Sequence, residues 1–354
     1  MLAAVTTSPG NVVIDDIPEP GPPRVGRVVV RPETVGICGS DLHHFSGHTG
    51  ALSGAQDFYP RIQGHEIAAV IEELGPGAPP SLTPGMRVAV LPQTRCGHCY
   101  PCRIGRSNVC VNLRLVGVHL DGGLQERLDI AAGAAFSAGD MDAGCTAFAE
   151  PMSIAVHALR RAKPVAGEKV LILGAGPIGL AAVLVALNAG LEPMAADPAP
   201  GRRGLATALG AAGAVWGDPE DVTEAVRDWT DGDGPPLVVE ASGAGPALRL
   251  TTEAVSNAGR VVMVGMSAET APVRPGIFPE KEIDVIGSST ACKPDFGEAV
   301  RLTGQYRAAI GKLLTHRFPL TAAAEAFRFA MKREPDAVKT QITVSGSSRG
   351  ATKT

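Results

Sequence analysis

The feature that most constrains the fold is a glycine-rich turn in mid-chain, Gly174-Ala175-Gly176-Pro177-Ile178-Gly179. It follows the apolar, strand-like Lys169–Leu173 and opens the helix-like Ile178–Ala189. One glycine of such a spacing makes the tight turn, one lets the backbone approach a pyrophosphate, and one lets helix and strand pack closely. The turn therefore predicts a parallel sheet covered by helices, with a dinucleotide at the helix N-terminus. The alternative is an ordinary glycine-rich turn.

An acidic residue after the next strand indicates which dinucleotide is bound. Asp197 follows Gly179 by 18 residues and ends the strand-like Pro193–Ala196. A carboxylate there accepts hydrogen bonds from the adenosine ribose and repels a 2′-phosphate, which favours NAD over NADP. Arg202 and Arg203 point the other way, because an arginine at this place can pair with the extra phosphate. We expect the carboxylate to dominate.

Length and charge restrict the class of partner. The 354 residues suit two domains, each large enough to bury a core. The net charge of −4, without a run of lysine or arginine, argues against nucleic acid and anionic lipid as partners. No apolar stretch approaches the roughly 20 residues that a membrane span needs, and residues 1–10 lack a signal-peptide pattern. We expect a cytoplasmic protein with a small-molecule substrate.

The pattern of residue types along the chain changes near residue 150. Before it, short β-branched runs broken by Pro and Gly predict an irregular β-rich domain. Their apolar cores are Val28–Val30, Ile67–Ile71 and Arg87–Leu91. After it, a βαβ rhythm predicts further strands at Pro236–Glu240, Arg260–Gly265 and Ile283–Ile286. The C-terminal part predicts a helix at Leu320–Arg333, a strand at Lys339–Val344 and a loose tail.

Cysteine spacing predicts a structural zinc site. Four of the seven cysteines fall in one loop: Cys96, Cys99, Cys102 and Cys110. Four thiolates at such spacing can close a tetrahedral shell around Zn²⁺ and leave no position for a substrate. A redox dithiol or an iron–sulfur site is the alternative, but the loop lacks the βαβ context of a redox Cys-x-x-Cys. His98, inside the loop, is expected to face solvent.

A second set of metal-binding side chains is dispersed along the chain: Cys38, His65, Glu66 and Glu150. One thiolate, one imidazole and carboxylates suit an open catalytic zinc, because few protein ligands leave room for an alcohol. Spacing alone does not bring them together. Each also has an ordinary interpretation: Cys38 as a core thiol, His65 as a buried histidine, Glu150 as a helix-start carboxylate.

The order of these motifs resembles the medium-chain zinc alcohol dehydrogenase family over nearly the whole chain. The motifs are Cys38-Gly39-Ser40-Asp41-x-His43, Gly64-His65-Glu66, the four-cysteine loop, Glu150-Pro151 and Gly174–Gly179. The Glu-Pro pair resembles the branch of sorbitol, idonate and threonine dehydrogenases. The resemblance implies two zinc ions per chain, one structural and one catalytic, the latter at Cys38 and His65 with Glu66 and Glu150 directly or through water. Cys145 is the rival ligand to Glu150.

The resemblance also implies an architecture. A GroES-like β-rich catalytic domain would comprise residues 1–149 and 286–354, and a Rossmann domain residues 150–285, with the active site in the cleft between them. The fold class is α/β. The family forms dimers and tetramers, so we expect a homotetramer or homodimer.

The same resemblance assigns roles in hydride transfer from a secondary alcohol to NAD. Ser40 would be the inner and His43 the outer member of a proton relay, and Asp41 would orient His65. For Ser40 and Asp41 the alternative is local turn hydrogen bonding. Val264 and Gly265 would line the nicotinamide pocket.

The substrate is less constrained. Side chains near the first zinc motif, His44, Phe45, His48 and Phe58, are candidates to face it, and the segment 47–58 is predicted to be a loop that shapes specificity. Sorbitol-type enzymes carry an Arg-Tyr pair where this chain has Ser288–Ala291, which disfavours sorbitol itself. A sugar acid, cyclitol, amino-alcohol or other diol is open. Two competing functions are a zinc-free quinone or enoyl reductase, and a nucleotide-binding protein without catalysis.

Overall fold

The computed structural model describes residues 1–48, 58–216, 219–266 and 273–344. Most of the segment 47–58 and the tail after residue 344, for which the sequence predicted loops, lie outside the described residues. The chain forms two compact units, residues 1–150 with 296–354, and residues 151–295. Among the described residues, no helix has the length and apolar character needed to cross a bilayer.

The first unit is β-rich. Its strands, in chain order, are β1 Leu2–Ser8, β2 Asn11–Asp16, β3 Arg27–Gly36, β4 Arg61–Ile62, β5 Glu66–Leu74, β6 Arg87–Val90, β7 Gln93–Thr94, β8 Arg114–Leu115, β9 Leu128–Ala131 and β10 Ala135–Ser137. Its helices in this part are α1 Gly39–Phe45, α2 Tyr100–Arg103 and α3 Ala143–Ala147. The next helix, α4 Ala149–Ala162, carries the chain into the second unit.

The second unit alternates strands and helices. The strands are β11 Lys169–Leu173, β12 Glu192–Ala196, β13 Gly213–Val215, β14 Leu237–Glu240, β15 Arg260–Met263 and β16 Asp284–Gly287. The helices are α5 Pro177–Asn188, α6 Pro200–Leu209, α7 Pro219–Trp229, α8 Gly245–Ala254 and α9 Ile277–Lys281. The chain returns to the first unit through α10 Lys293–Gln305, followed by α11 Arg307–Gly311, β17 His316–Pro319, α12 Ala323–Met331 and β18 Thr340–Thr343.

All strand pairs of the second unit are parallel, in the order β13-β12-β11-β14-β15-β16. This is the strand order of a doubly wound dinucleotide-binding sheet, whose ligand lies at the carboxyl ends of the strands where the order reverses. The reversal falls between β11 and β14. The glycine-rich turn leaves β11 at that point, and the predicted Rossmann topology is confirmed.

The larger sheet of the first unit explains why distant segments meet. Its order is β10-β6-β5-β3-β18-β17, with β9 also pairing β3. The last residue of β3, Gly36, lies opposite Glu66 of β5 on one side and Gln341 of β18 on the other. Antiparallel register therefore places the start of β5, the end of β3 and a C-terminal strand at one edge.

The predicted domain limit at residue 285 falls inside β16, whereas the second compact unit extends to Asp295, and the predicted domain division stays a prediction. Two element boundaries need correction. The strand predicted to reach Gly265 ends at Met263, since the N–H groups of Val264 and Gly265 both donate to the carbonyl of Glu240. The helix predicted at Leu320–Arg333 is a 3₁₀ turn, Leu320–Ala322, followed by α12.

Candidate active site and metal centres

The first site is built on the short loop between β3 and α1. Cys38 is the N-cap of α1, and its backbone N–H donates to Oδ2 of Asp41 at 2.9 Å. An acidic side chain at the third helical position stabilises a helix start in this way. The cap fixes both the Cys38 thiol and the Asp41 carboxylate at the end of β3.

His65 and Glu66 come to this loop from the start of β5. One ligand atom from each of Cys38, His65 and Glu66 lies within 4.8 Å of the others. Asp41 Oδ1 is 3.4 Å from Nδ1 of His65. The structure therefore gathers three of the predicted catalytic-zinc ligands, and it places Asp41 beside the imidazole that it was predicted to orient.

The charges of the group suit a cation. Burial alone would lower the pKa of His65, but the Asp41 carboxylate and the Cys38 thiolate raise it well above its usual range. A bound Zn²⁺ would supply the positive charge that this pair of anions stabilises here. By its donor types and proximity, the group fits zinc.

Glu66 has a partner that sequence reasoning missed. Nζ of Lys339 contacts Oε1 of Glu66 and donates to the carbonyl of Ile37 at 2.9 Å. Both side chains are almost fully buried, and Oε2 of Glu66 has no hydrogen-bond partner among the described residues. That second oxygen lies against Gly36, whose hydrogen side chain leaves the space it occupies. Lys339 therefore holds one oxygen of Glu66 and leaves the other for a ligand.

Glu150 lies in the first turn of α4 and is 8% exposed. Burial raises the pKa of its carboxyl to about 7, with Glu66 adding to the rise and His65 opposing it. Its oxygens are not in the 4.8 Å group found among the described residues. A direct bond from Glu150 to the metal stays a prediction.

Cys145, the rival ligand, is directed elsewhere. Its thiol contacts the carbonyl of Arg307 at 3.6 Å, and its N–H is capped by Asp142. Burial raises the pKa of this thiol to about 12, so it is protonated at neutral pH. The group of Cys38, His65 and Glu66 does not include it.

The two predicted relay residues sit on α1. Ser40 and His43 are both half-buried, in the first and last turns of the helix. Burial lowers the pKa of His43, as does the charge of Arg333. A neutral imidazole that is partly open to solvent can accept and release a proton.

The four-cysteine loop is a second candidate metal centre. The sulfurs of Cys96, Cys99, Cys102 and Cys110 lie within 4.8 Å of one another. Sγ of Cys110 is 3.5 Å from that of Cys96 and 3.7 Å from that of Cys99. Zinc–sulfur bonds of about 2.3 Å in a tetrahedron put the sulfurs about 3.8 Å apart. The loop thus has the dimensions of a closed zinc site.

The backbone of the loop favours thiolates. Hydrogen bonds from the backbone at His98 and Cys99 lower the pKa of Cys96 to about 6. Desolvation and the neighbouring sulfurs raise that of Cys102 to about 12. Crowded thiolates resist full deprotonation unless a cation balances them, which zinc would do. His98 is exposed, as expected, with Nδ1 2.9 Å from the carbonyl of Cys96.

In the second unit the glycine-rich turn has the geometry of a phosphate site. Gly174 has φ of +98°, which favours glycine, and Gly176 is the N-cap of α5 with Pro177 at the first helical position. A Cβ on Gly179 would collide with the carbonyl oxygen of Gly174, whereas one on Gly176 would meet no atom within 4 Å. Ile178 is half-buried beside them. The turn leaves open space where a pyrophosphate would bind.

Asp197 supports this turn directly. Its Oδ2 accepts from the N–H of Ala175 at 2.7 Å and its Oδ1 from that of Ala199 at 2.8 Å. The carboxylate is 4% exposed. Arg203 donates to the carbonyl of Asp197 at 2.8 Å, while Arg202 lies beside it in the first turn of α6. Ribose binding by Asp197, and any contact of Arg202 with the cofactor, stay predictions.

The predicted nicotinamide-pocket residues follow β15. Val264 and Gly265 are half-buried, and their N–H groups donate to the carbonyl of Glu240 at 2.9 and 3.0 Å. The Glu240 carboxylate is fully buried at the end of β14 and accepts from the N–H groups of Ser242 and Gly243 at 2.8 Å. This carboxylate, which sequence reasoning missed, fixes the loop beside the glycine-rich turn.

Comparison with known proteins decides the family. A family model described as alcohol dehydrogenase GroES-like domain matches residues 24–140, and one described as zinc-binding dehydrogenase matches residues 177–305. L-galactonate-5-dehydrogenase of Escherichia coli (strain K12) is 33% identical over 328 residues, covering 93% of this chain and 94% of that protein. The chain belongs to the zinc-type alcohol dehydrogenase family.

Further relatives of this zinc-type alcohol dehydrogenase support the same family assignment. L-threonine 3-dehydrogenase of Pyrococcus horikoshii is 36% identical over 271 residues, covering 75% of this chain and 76% of that protein. An alcohol dehydrogenase of E. coli CFT073, solved in complex with NADH, matches with a TM-score of 0.87 at 30% identity, covering 97% of this chain and 99% of that one. The predicted α/β class, medium-chain family and oxidoreductase activity on CH–OH groups are confirmed.

One buried polar network of the dehydrogenase lay outside every sequence motif. Nδ1 of His157 on α4 is 2.7 Å from Oδ2 of Asp295, and the same oxygen accepts from the N–H of Cys292 at 3.0 Å. Arg160 pairs with the other oxygen at 2.8 Å. The network ties α4 to the start of α10. His157 and Asp295 are 138 residues apart in sequence, so no local pattern could reveal their contact.

Proposed function

We propose that this chain is an NAD-linked dehydrogenase that oxidises a secondary alcohol of a polyol, sugar acid, cyclitol or amino-alcohol to a ketone, reversibly. The observation that carries the proposal is the convergence of Cys38, His65 and Glu66 beside Asp41, separate from the four-cysteine loop. An open group of few ligands suits catalysis, and a closed set of four cysteines suits structure.

The residues of the first unit would divide the work as follows. Cys38 and His65, with Glu66 or Glu150, would hold a zinc ion, which when bound would act as a Lewis acid and lower the pKa of the substrate hydroxyl. Ser40 would accept the hydroxyl proton while giving up its own proton toward His43, and His43 would then release a proton to solvent. Asp41 keeps His65 in one orientation, and Lys339 holds Glu66. Deprotonation of the alcohol favours departure of the hydride from its carbon.

The second unit would bind the acceptor of the hydride. Gly174, Gly176 and the N-terminus of α5 would hold the pyrophosphate of NAD, because backbone N–H groups and the helix dipole there favour a phosphate. Asp197 accepts from the adenosine ribose with the lone pairs that the backbone leaves free, which disfavours the 2′-phosphate of NADP. Val264 and Gly265 line the nicotinamide end.

The substrate is expected to be small and hydroxyl-rich. Two relatives are named L-galactonate-5-dehydrogenase and L-threonine 3-dehydrogenase. Their names indicate oxidation of a hydroxyl-bearing acid and a hydroxyl-bearing amino acid.

We also propose a homo-oligomer in the cytoplasm. Among the described residues, β16 is an edge strand of the parallel sheet, and its Val285 is 51% exposed. An apolar edge strand pairs readily with a second copy, so a homodimer through β16, or a tetramer built from it, would cover this edge. No disulfide bond joins any of the seven cysteines, all of which lie among the described residues, and a reducing compartment would keep the zinc-binding thiols available.

The test is NAD⁺ reduction by the purified protein across polyols, sugar acids, cyclitols, amino-alcohols and simple secondary alcohols. We expect NADH formation with at least one hydroxyl-rich substrate, its loss after chelation and its return with Zn²⁺. NADP⁺ serves as the matched cofactor control and should react more slowly. No NADH formation from any alcohol, together with NADH oxidation by a quinone or an enoyl compound, would favour the quinone or enoyl reductase. Cofactor binding without either reaction would favour a nucleotide-binding protein without catalysis.

A further inference from the structure

A buried histidine on α1 lacks the hydrogen bonds that its burial requires. The side chain of His44 is 0% exposed, and neither ring nitrogen has a hydrogen-bond partner among the described residues. Buried polar groups almost always have a hydrogen-bond partner, so two buried ring nitrogens without one need an explanation. A ligand that supplies the missing partners is one such explanation.

The ring is held in a fixed orientation. It stacks on Phe58 with centroids 4.0 Å apart and planes 5° from parallel. The hydroxyl of Tyr59 contacts the carbonyl of His44, and Tyr59 packs edge-on to Phe58. Because Phe58 covers one face of the imidazole, a small molecule would meet the ring at its edge, where both nitrogens lie.

His44 belongs to the proposed active site by position. It lies four residues after Ser40 on α1, and residues at that spacing share one face of a helix. Its strongest electrostatic neighbours after burial are Asp41 and then His65. The ring therefore lies on the side of α1 that carries Ser40 and Asp41.

The imidazole is neutral under ordinary conditions. Burial lowers the pKa of His44 to about 4, although the Asp41 carboxylate opposes this. A neutral imidazole offers one N–H donor and one acceptor nitrogen. A hydroxyl group also offers one donor and one acceptor, whereas a carboxylate only accepts and an ammonium only donates.

We propose that His44 is a specificity-determining residue that hydrogen-bonds a second hydroxyl of the substrate, next to the one that is oxidised. The proposal rests on the proposed function and adds the substrate class, a vicinal diol unit. A substrate with an alkyl group at this position would leave unsatisfied the buried ring nitrogen that this hydroxyl pairs with. Sites built to hydrogen-bond a substrate hydroxyl reject the analogue without it strongly.

The test compares two alcohols that differ by one hydroxyl, 2,3-butanediol and 2-butanol, with NAD⁺. We expect the wild type to prefer the diol in kcat/KM by about 100-fold or more. His44→Phe keeps the size and stacking of the ring and should remove most of this preference, chiefly by lowering kcat/KM for the diol. His44→Asn keeps a donor and an acceptor and should restore part of it.

A measurement without substrate separates binding from folding. His44→Phe should melt at the same temperature as the wild type or higher, since it removes unsatisfied buried nitrogens. If 2,3-butanediol is not oxidised, the comparison uses the fastest polyol of the substrate panel and its analogue lacking the neighbouring hydroxyl.

The outcomes distinguish the two claims. An equal loss for both alcohols in His44→Phe, or an unchanged preference, would overturn the role of His44 and leave the dehydrogenase intact. A wild type that prefers neither alcohol would overturn it too. A wild type that oxidises no alcohol at all would overturn the proposed function itself.

Discussion

Two glycines of the dinucleotide turn should respond in opposite ways to the same added methyl group. The Cβ of Gly179→Ala would lie far inside 3.0 Å of the carbonyl oxygen of Gly174, a distance at which real Cβ contacts are essentially absent. The obstacle is backbone, so α5 must move away from β11. The Cβ of Gly176→Ala meets no atom within 4 Å, and the backbone there, at φ −72°, suits alanine. That methyl group would occupy only the space proposed for the pyrophosphate.

The magnitudes follow from these contacts. Overpacking costs about 1–3 kcal/mol, and a clash with backbone belongs at the upper end, about 3 kcal/mol for Gly179→Ala. That corresponds to a fall in melting temperature of about 6–12 °C for a domain of this size. Gly176→Ala should leave the melting temperature without cofactor within about 1 °C. Its dissociation constant for NAD⁺ should rise about 10- to 100-fold, since the backbone can no longer approach the phosphates.

The assay pairs thermal unfolding without cofactor with calorimetric titration of NAD⁺. Gly204→Ala is the matched control: it lies exposed in α6 with no atom near its Cβ, and it should stabilise the protein by about 0.5–1 kcal/mol without changing NAD⁺ affinity. The reasoning is refuted if Gly176→Ala binds NAD⁺ as tightly as the wild type, or if it unfolds as early as Gly179→Ala.

Three further substitutions probe the first unit. Lys339→Met leaves the buried Glu66 carboxylate without its cation and should lower the free energy of unfolding, measured by urea denaturation, by about 3–5 kcal/mol. Adding Glu66→Gln to this variant should recover part of the loss. No recovery would contradict the ion pair between Lys339 and Glu66. Asp41→Asn should weaken retention of the catalytic zinc about 10- to 100-fold in competition with a chelator, because His65 loses its orienting carboxylate; unchanged retention would remove Asp41 from that role. Cys145→Ala should keep the zinc content and kcat of the wild type, since its thiol contacts a carbonyl away from the metal-binding group; loss of zinc would restore Cys145 as a ligand.

The Rossmann part of the fold was predictable because its signals are local. β11 was predicted with its observed limits, and α5 and β12 within one residue, since apolar runs and glycine turns define them without reference to other segments. The strand end at Gly265 was missed because a turn held by the Glu240 carbonyl stops the pairing there. The helix predicted from Leu320 begins instead with the 3₁₀ turn Leu320–Ala322.

The metal-binding residues were found by residue type and order, but their surroundings were not. Cys38, His65 and Glu66 meet because Gly36 pairs with Glu66 across β3 and β5, and no spacing in the sequence encodes that register. Lys339 is 273 residues from Glu66. Lys339 begins the strand predicted at Lys339–Val344, and a buried lysine requires a partner. The sequence therefore indicates that a partner exists, but it does not identify which carboxylate that partner is.

The central claim is that one chain carries an open catalytic zinc site and a closed structural one. Zinc content per chain, measured with NAD⁺ reduction and melting temperature, tests it in the wild type, Cys38→Ser and Cys96→Ser. We expect about two zinc ions in the wild type. Cys38→Ser should keep about one, lose turnover and melt near the wild type, whereas Cys96→Ser should also keep about one but melt well below it. A wild type with a single zinc, or a Cys38→Ser variant that retains two and still turns over, would contradict the account.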